Sequence, residues 1–302
     1  MYGELTSLHI SKLAAEQGFS AAYCFAPVPE DHAPEEIKTL ILLAKQYTPG
    51  GKLVDAFYPA SNAAYHVAAR MAKQISETWD VSAYQLNMLR IKPICARLPY
   101  FGKGKNTLNY LPQIGSRFCM ELLGLNVLVN QEEEKARYPE RQLPCAVCGK
   151  CMQACPNGAI TEQGFIKERC IRFHMLNGKA MPEALRQYIG AENGTMGIVG
   201  CDICQRVCPA NAEIEKTRTD ADAFPLRDLL ICNPETMKRF ALLYGKNYAI
   251  RNRILAQAVL AALHAEQAEL LPSISALCSS ASPVVAEHAA WVAEKMKNKK
   301  IY

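Results

Sequence analysis

The sequence predicts an α+β protein in three parts: a mixed region over residues 1–140, a compact cysteine-rich module over 141–215, and a helical stretch over 216–302. Three observations carry that expectation. Short apolar runs alternate with amphipathic ones in the first part, eight of the thirteen cysteines fall between 145 and 208 among glycines and prolines, and apolar positions after 216 recur at helical spacing.

In the first part, Leu5, Leu8, Leu13 and Ala14 share one face if the chain is helical there. Ala21 to Ala26 reads as a short strand, and the unbroken apolar run Leu40 to Ala44 as a buried one. Asn62 to Ile75 has the pattern of an amphipathic helix with Asn62 in a capping position, and Ala83 to Ile94 alternates like a further strand. Strands interleaved with helices suit an α/β or α+β domain. The middle module, loop-rich by composition, is expected to organise around something other than a large apolar core. In the last part, RNRILAQAVLAAL and SPVVAEHAAWVAEKM flank LLPSISALC, an arrangement resembling stacked helix pairs of the HEAT type.

Composition narrows the function classes. Half of the residues are apolar and about a fifth charged (21%). No run approaches the roughly 18–20 apolar residues needed to span a bilayer, so no membrane role is expected. The opening MYGELTSLHISKLAAEQGF carries Glu4 and Glu16 and lacks the pattern of a secretion signal, which predicts a cytoplasmic protein. In that reducing compartment clustered cysteines point to metal or redox chemistry rather than to disulfides. The net charge of +5 is compatible with a polyanionic partner without requiring one.

Cys145, Cys148, Cys151 and Cys155, followed by Pro156, make C-x2-C-x2-C-x3-C-P, the run with which bacterial ferredoxins hold [4Fe–4S] clusters. Short spacings let three thiolates wrap one face of a cuboidal cluster, while the fourth cysteine points to a second cluster. A second run, Cys201, Cys204 and Cys208 before Pro209, is one cysteine short, and Cys170 lies alone between the two. The expected partition is therefore Cys145, Cys148, Cys151 and Cys208 on one cluster, and Cys155, Cys170, Cys201 and Cys204 on the other. Paired zinc sites also use C-x2-C, but zinc has no need of this longer order. Cys24, Cys95, Cys119, Cys232 and Cys278 lie in apolar surroundings and read as small buried hydrophobes. A carrier of two clusters needs only the middle module, so the rest of the chain is expected to bind something to which electrons are delivered.

Beyond the cysteines, GFSAAYCFAP, the Tyr65–His66 helix SNAAYHVAARMAKQI, ARLPYFGKGKNTLNYLPQIGSRF, GCDICQRVCPAN, FPLRDLL and HAAWVAEKM follow one another in an order that resembles the epoxyqueuosine reductases. The resemblance covers almost the whole chain. It implies an N-terminal domain of the cobalamin-binding type, a ferredoxin-like double-cluster module and HEAT-like helices. It further implies cobalamin as a cofactor beside two [4Fe–4S] clusters, electrons from an external donor such as a flavodoxin or ferredoxin, and reduction of epoxyqueuosine in tRNA. The glycine-rich segment would contribute Gly102, Gly104, Lys105, Asn106, Gly115 and Ser116 to cofactor binding. Glycine at 102 and 104 would permit tight turns and close approach of a flat macrocycle.

One departure bears on the substrate. Members of the family carry an acid in Asp-x-x-Pro-x-x-Glu-Arg ahead of that segment, where it would protonate the opening epoxide, and here no Asp occurs from Val81 to Cys201. Aligning on Pro93 puts Arg90 in its place, and a guanidinium donates no proton at neutral pH. His66, Tyr100 and Lys105 are the candidate donors instead. Two alternatives stay open: a paralogous cobalamin and iron–sulfur reductase with another substrate, and a non-catalytic electron-transfer protein. Basic residues Lys238, Arg239, Lys246, Arg251 and Arg253 and the tail KMKNKK could grip tRNA phosphates or simply form a solvated face. Trp291 is expected to pack between helices.

Overall fold

The computed structural model describes residues 4–51, 53–129, 145, 147–191, 195, 197–219, 224–265 and 268–299. They fall into two compact units. The first takes its residues from Met1–Tyr47 and Ala60–Cys148, the second from Thr48–Pro59 and Gly149–Tyr302.

The first unit is built on one four-stranded sheet. Helix α1 (Ser7–Glu16) starts where the Thr6 hydroxyl accepts a hydrogen bond from the His9 N–H, and it buries Ile10, Leu13 and Ala14. Leu8 does not share that face and is 56% exposed. Strands β1 (Ala21–Phe25) and β2 (Thr39–Gln46) are as the apolar runs predict, and Leu40 to Ala44 are wholly buried. Helix α2 (Phe57–Trp79) is longer than its periodicity suggests, which leaves Asn62 inside it rather than at its cap.

The expected strand over Ala83 to Ile94 is a correction. Only β3 (Ala83–Gln85) is extended; a turn follows, and the chain then enters α3 (Ile91–Arg97). Pro93 sits in the first turn of α3, where its missing N–H costs no helical hydrogen bond. A short hairpin, β4 (Gly102–Lys103) and β5 (Asn109–Tyr110), leads to β6 (Phe118–Leu125). The sheet order is β1-β2-β6-β3, and every pairing is antiparallel. The N-terminal part is thus α+β rather than an α/β domain with a parallel sheet.

Side-chain alternation divides the sheet's faces. Tyr23, Leu40, Leu42, Phe118 and Leu122 pack with Ile94, Cys95 and Leu98 of the α3 region. Glu121 and Leu123 point the other way, and from that face Gln85 reaches the Tyr65 carbonyl of α2.

The second unit alternates short helices and turns before ending in longer helices. In order these are α4 (Lys150–Ala154), the hairpin β7 (Ile160–Thr161) and β8 (Gly164–Phe165), α5 (Ile171–Leu176), α6 (Glu183–Arg186), α7 (Ile203–Arg206) and α8 (Ala212–Glu215). Then come α9 (Leu226–Leu230), α10 (Pro234–Tyr244), α11 (Arg251–Ala262), α12 (Leu271–Leu277) and α13 (Pro283–Lys299). The module's expected lack of an apolar core holds only for the cysteine turns. Ile171, Met175, Met181, Leu185, Ile189, Ile198 and Val199 join one cluster with Ile254, Val259, Ile274 and Val292. The His288 ring ties the same parts together: its Nε2 accepts from the Met181 N–H at 2.9 Å and its Nδ1 lies 2.9 Å from the Ala256 carbonyl. The imidazole is therefore held neutral, and burial lowers its pKa from the usual 6.5.

Residues 48–59 belong to this unit although they precede it by about ninety residues in the chain. They form a strap along it. Gly50 pairs in parallel with Thr219, and Val54 with Val199.

Candidate functional site

The cysteine turns follow one local plan, used twice. Gly149 precedes α4, which carries Cys151, and Cys155 ends it by donating its N–H to the Met152 carbonyl. Asp202 precedes α7, which carries Cys204, and the Cys208 N–H closes on the Gln205 carbonyl. Pro156 and Pro209 then turn the chain away, a position that suits a residue with no N–H to offer. Helices α4 and α7 pack against each other. Cys170 stands at the N-cap of α5.

None of the eight cysteines is fully buried, and none is in a disulfide. Burial is still the main influence on Cys201, whose thiol pKa is raised; Cys204 and Cys170 are near enough to add like charge. Three of the four cysteines expected on the second cluster are thus neighbours. The thiol of Cys155, the fourth, accepts from the Ala159 N–H at 3.3 Å, the kind of backbone bond a cluster ligand uses. Cys145 and Cys148 belong to the first unit, with the Cys148 N–H on the Cys145 carbonyl. Among the described residues no three His, Cys, Asp or Glu side chains close on a single metal ion. A cuboidal cluster sets its ligands wider apart than one ion does.

The strap supplies what sequence reading missed here. A Cβ on Gly200, the residue before Cys201, would lie 2.6 Å from Asp55 Cβ and 2.8 Å from the Tyr58 ring. Gly197 is pressed in the same way on Leu53. The Tyr58 hydroxyl accepts from Arg172 Nε at 3.1 Å, and the guanidinium lies over the Phe57 and Tyr58 rings. Burial pushes the Tyr58 phenol up to about 12, so it stays neutral. The spacing of Gly197 and Gly200 was the available signal that another segment comes close.

The glycine-rich segment is ordered by its own side chains. Gly104 and Leu108 share a hydrogen bond across the hairpin turn, and Asn106 Oδ1 accepts from the Leu108 N–H. A Cβ on Gly102 would meet the Tyr110 ring at 2.1 Å, and one on Gly104 would meet Asn106 Oδ1 at 2.4 Å. These glycines make room for the chain itself. Gly115, at φ +67°, closes a tight turn with Leu111, and Ser116 beside it is buried. Lys105 is half-buried.

The structure does not bring the candidate proton donors together. Tyr100 stacks on Tyr23 with ring centroids 5.0 Å apart, on the α3 face of the sheet. His66 is exposed on α2, edge-on to Tyr65. A further acid, unremarked in the sequence, is Glu121 on β6. Its carboxylate is buried, accepts from Gln85 Nε2 at 3.0 Å, and is raised by desolvation to about 7. Cys95 is a wholly buried thiol pushed up to about 12 by the same cause, so it is inert packing. Cys24 and Cys119 are likewise buried, whereas Cys232 and Cys278 are only partly so.

Residues 144–211 match the model of the 4Fe-4S double cluster binding domain. The expectation of two [4Fe–4S] clusters is borne out. Over 162 residues the chain is 32% identical to the epoxyqueuosine reductase of Bacillus subtilis (strain 168), an alignment covering 50% of this chain and 40% of that one. With the enzyme of Lactococcus garvieae (strain Lg2) the identity is 26% over 255 residues, covering 78% and 69%. In sequence, the chain is similar to the epoxyqueuosine reductases. It shares their fold as well. The structure of the Streptococcus thermophilus epoxyqueuosine reductase superposes with a TM-score of 0.76, covering 96% of this chain and 90% of that one at 19% identity. An epoxyqueuosine reductase with an epoxyqueuosine-modified tRNA-Tyr stem loop superposes with a TM-score of 0.72, covering 94% and 88% at 20% identity. The alignment to the Bacillus relative thus spans about two fifths of its length. No helix among the described residues is long and apolar enough to cross a membrane.

Proposed function

We propose that the chain is an iron–sulfur, cobalamin-dependent reductase that converts epoxyqueuosine to queuosine in tRNA. The observation that carries the reading is the eight-cysteine array, set on a fold shared with epoxyqueuosine reductases across nearly the whole chain. Opening an epoxide to an alkene and water consumes two electrons and two protons, and two one-electron clusters suit that demand. Cys145, Cys148, Cys151 and Cys208 would hold one cluster, and Cys155, Cys170, Cys201 and Cys204 the other. Both would be reduced by an external donor of the flavodoxin or ferredoxin type.

Cobalamin, when bound, would supply a low-valent, nucleophilic cobalt as the source of electrons for opening the epoxide, whose oxygen leaves as water. Its fit to this chain rests on the donor set of the loop, Lys105, Asn106 and Ser116, whose ammonium, carboxamide and hydroxyl match the amides fringing a corrin. Gly102, Gly104 and Gly115 act one step back, by giving that loop its shape. Tyr100, His66 and Lys105 are the proton donors available to the reading, and Lys105 alone of the three lies on the loop. Residues 1–140 would bind cofactor and substrate, 141–215 would carry electrons, and the HEAT-like helices of 216–302 would present Lys238, Arg239, Lys246 and Arg251 to tRNA phosphates. All four of those side chains are exposed.

A second reading, a cobalamin and iron–sulfur reductase with another substrate, is favoured by one observation, the absence of Asp from Val81 to Cys201. The test is an anaerobic titration of the reconstituted protein with cobalamin, read by its visible spectrum, followed by incubation with epoxyqueuosine-containing tRNA. A saturable shift to the base-off form and loss of one oxygen from the nucleoside support the reading. A shift with the nucleoside untouched supports the second. No shift with both clusters intact leaves an electron-transfer protein.

A further inference from the structure

We propose that Arg172 and Asp55, opposite charges gathered at the contact between Tyr58 and Gly200, together set the reduction potential of the cluster held by Cys155, Cys170, Cys201 and Cys204, with Tyr58 holding the cation in place. The proposal rests on that ligand partition, and it assigns to the strap a role beyond packing.

The geometry brings two ligands and two charges into one neighbourhood. Arg172 is in the first turn of α5, and Cys170 is that helix's N-cap. Its Nε donates to the Tyr58 hydroxyl at 3.1 Å. The Tyr58 ring in turn lies against Gly200, so close that a Cβ there would be 2.8 Å from a ring carbon, and Cys201 is the next residue. One phenol therefore separates the guanidinium from the backbone that carries Cys201. Asp55 touches the same glycine, with the would-be Cβ 2.6 Å from its own, and its Oδ1 is fixed by the Phe57 N–H at 2.8 Å. Tyr248 packs edge-on against Tyr58 with ring centroids 4.7 Å apart.

Each side chain is tied by a hydrogen bond, Arg172 to the Tyr58 hydroxyl and Asp55 to the Phe57 N–H. Asp55 is half-buried, and although Arg172 is exposed as a residue its guanidinium lies over the Phe57 and Tyr58 rings, so solvent screens both charges in part without cancelling their action on a neighbouring cluster. A cluster becomes more negative by one charge on reduction. A nearby cation favours the reduced form and raises the potential; a nearby anion lowers it, and local charge is among the established levers on such clusters. The two residues therefore oppose one another, and the observed potential is their balance. Arg172 arrives with Cys170 itself, whereas Asp55 and Tyr58 come from a segment over a hundred residues earlier. Packing of the strap and electron affinity of the cluster are coupled.

The test is a potentiometric titration of the purified two-cluster protein, followed by electron paramagnetic resonance, with no cobalamin or tRNA present. Its outcome is independent of whether the enzyme acts on epoxyqueuosine. Arg172→Gln is expected to lower the midpoint of one cluster and leave the other in place. Arg172→Lys should recover most of the shift. Asp55→Asn, which can still accept from the Phe57 N–H, should raise the same midpoint. The Cys170→Ala protein identifies which signal that is, because it loses it. A purely structural role would lower cluster occupancy without moving the two midpoints in opposite directions. Unchanged midpoints in Arg172→Gln and Asp55→Asn at full iron content, shifts of the same sign, or a shift confined to the other cluster would overturn the proposal.

Discussion

Glu121 makes the stability of the first unit depend on pH in a direction unusual for a carboxylate. In the folded chain its pKa is raised from 4.5 to about 7, because the side chain is buried on β6 and gains one hydrogen bond, from Gln85, to offset lost hydration. Between those two values the folded state keeps the proton and the unfolded state has released it. Stability therefore falls as pH rises through this window and levels off above about 7. At about 1.4 kcal/mol per pH unit the full difference is roughly 3 kcal/mol. The 8% of Glu121 that stays accessible lets water screen part of that, leaving about 2 kcal/mol as the expected size. Glu121→Gln removes the titration and keeps the shape. The assay is urea unfolding between pH 5 and 8 in a Trp291→Phe background, so that fluorescence reports Trp79 at the end of α2. The variant should match its parent near pH 5 and exceed it by about 2 kcal/mol at pH 8. A difference between the two that is constant with pH would refute the reasoning.

Three further outcomes are expected. Cys151→Ala and Cys170→Ala should each abolish the spectroscopic signal of a different cluster, and loss of the same signal from both would break the ligand partition. Gly200→Ala forces a side chain into Asp55 and Tyr58 at φ +96°, so it should cost about 2–3 kcal/mol by thermal denaturation and lower iron content. His288→Leu strands the Met181 N–H and the Ala256 carbonyl and should cost about 2–4 kcal/mol. In the parent, the folded pKa of His288 lies below 6.5, so its contribution is complete above that pH and is lost as pH falls below it, which Trp291 fluorescence in a Trp79→Phe background would follow.

Features written in short local patterns were legible from the chain alone. The run Leu40 to Ala44 had to be a buried strand, the C-terminal apolar periodicity had to be helix, and the cysteine spacing announced clusters without any fold at all. Ala83 to Ile94 misled because its alternation is equally met by a three-residue strand, a turn and a helix whose first turn tolerates Pro93. The module's core was hidden for a different reason. Its apolar partners lie in helices up to a hundred residues downstream, and spacing within the module cannot reveal them. Gly102 and Gly104 were legible as constrained positions but not as to what fills the space, since Tyr110 and Asn106 act only once the hairpin closes. Arg172, Tyr58 and Asp55 carry no motif. Their meaning is a juxtaposition made by folding.

The strap also fixes the order in which the molecule can be completed. Its residues leave the ribosome among the first, yet Val54 waits for Val199 and Gly50 for Thr219, with the whole of the sheet's last strand synthesised in between. Such remote pairings close late. During that interval the first unit can finish its sheet while Leu53, Val54 and Tyr58 have nothing to cover them, so a nascent chain stalled before Val199 exposes an apolar segment it would normally hide. The same wiring limits how the protein can be divided. A fragment begun at residue 141 would carry all eight cysteines and every C-terminal helix, and would still lack the edge against which Gly197 and Gly200 were shaped.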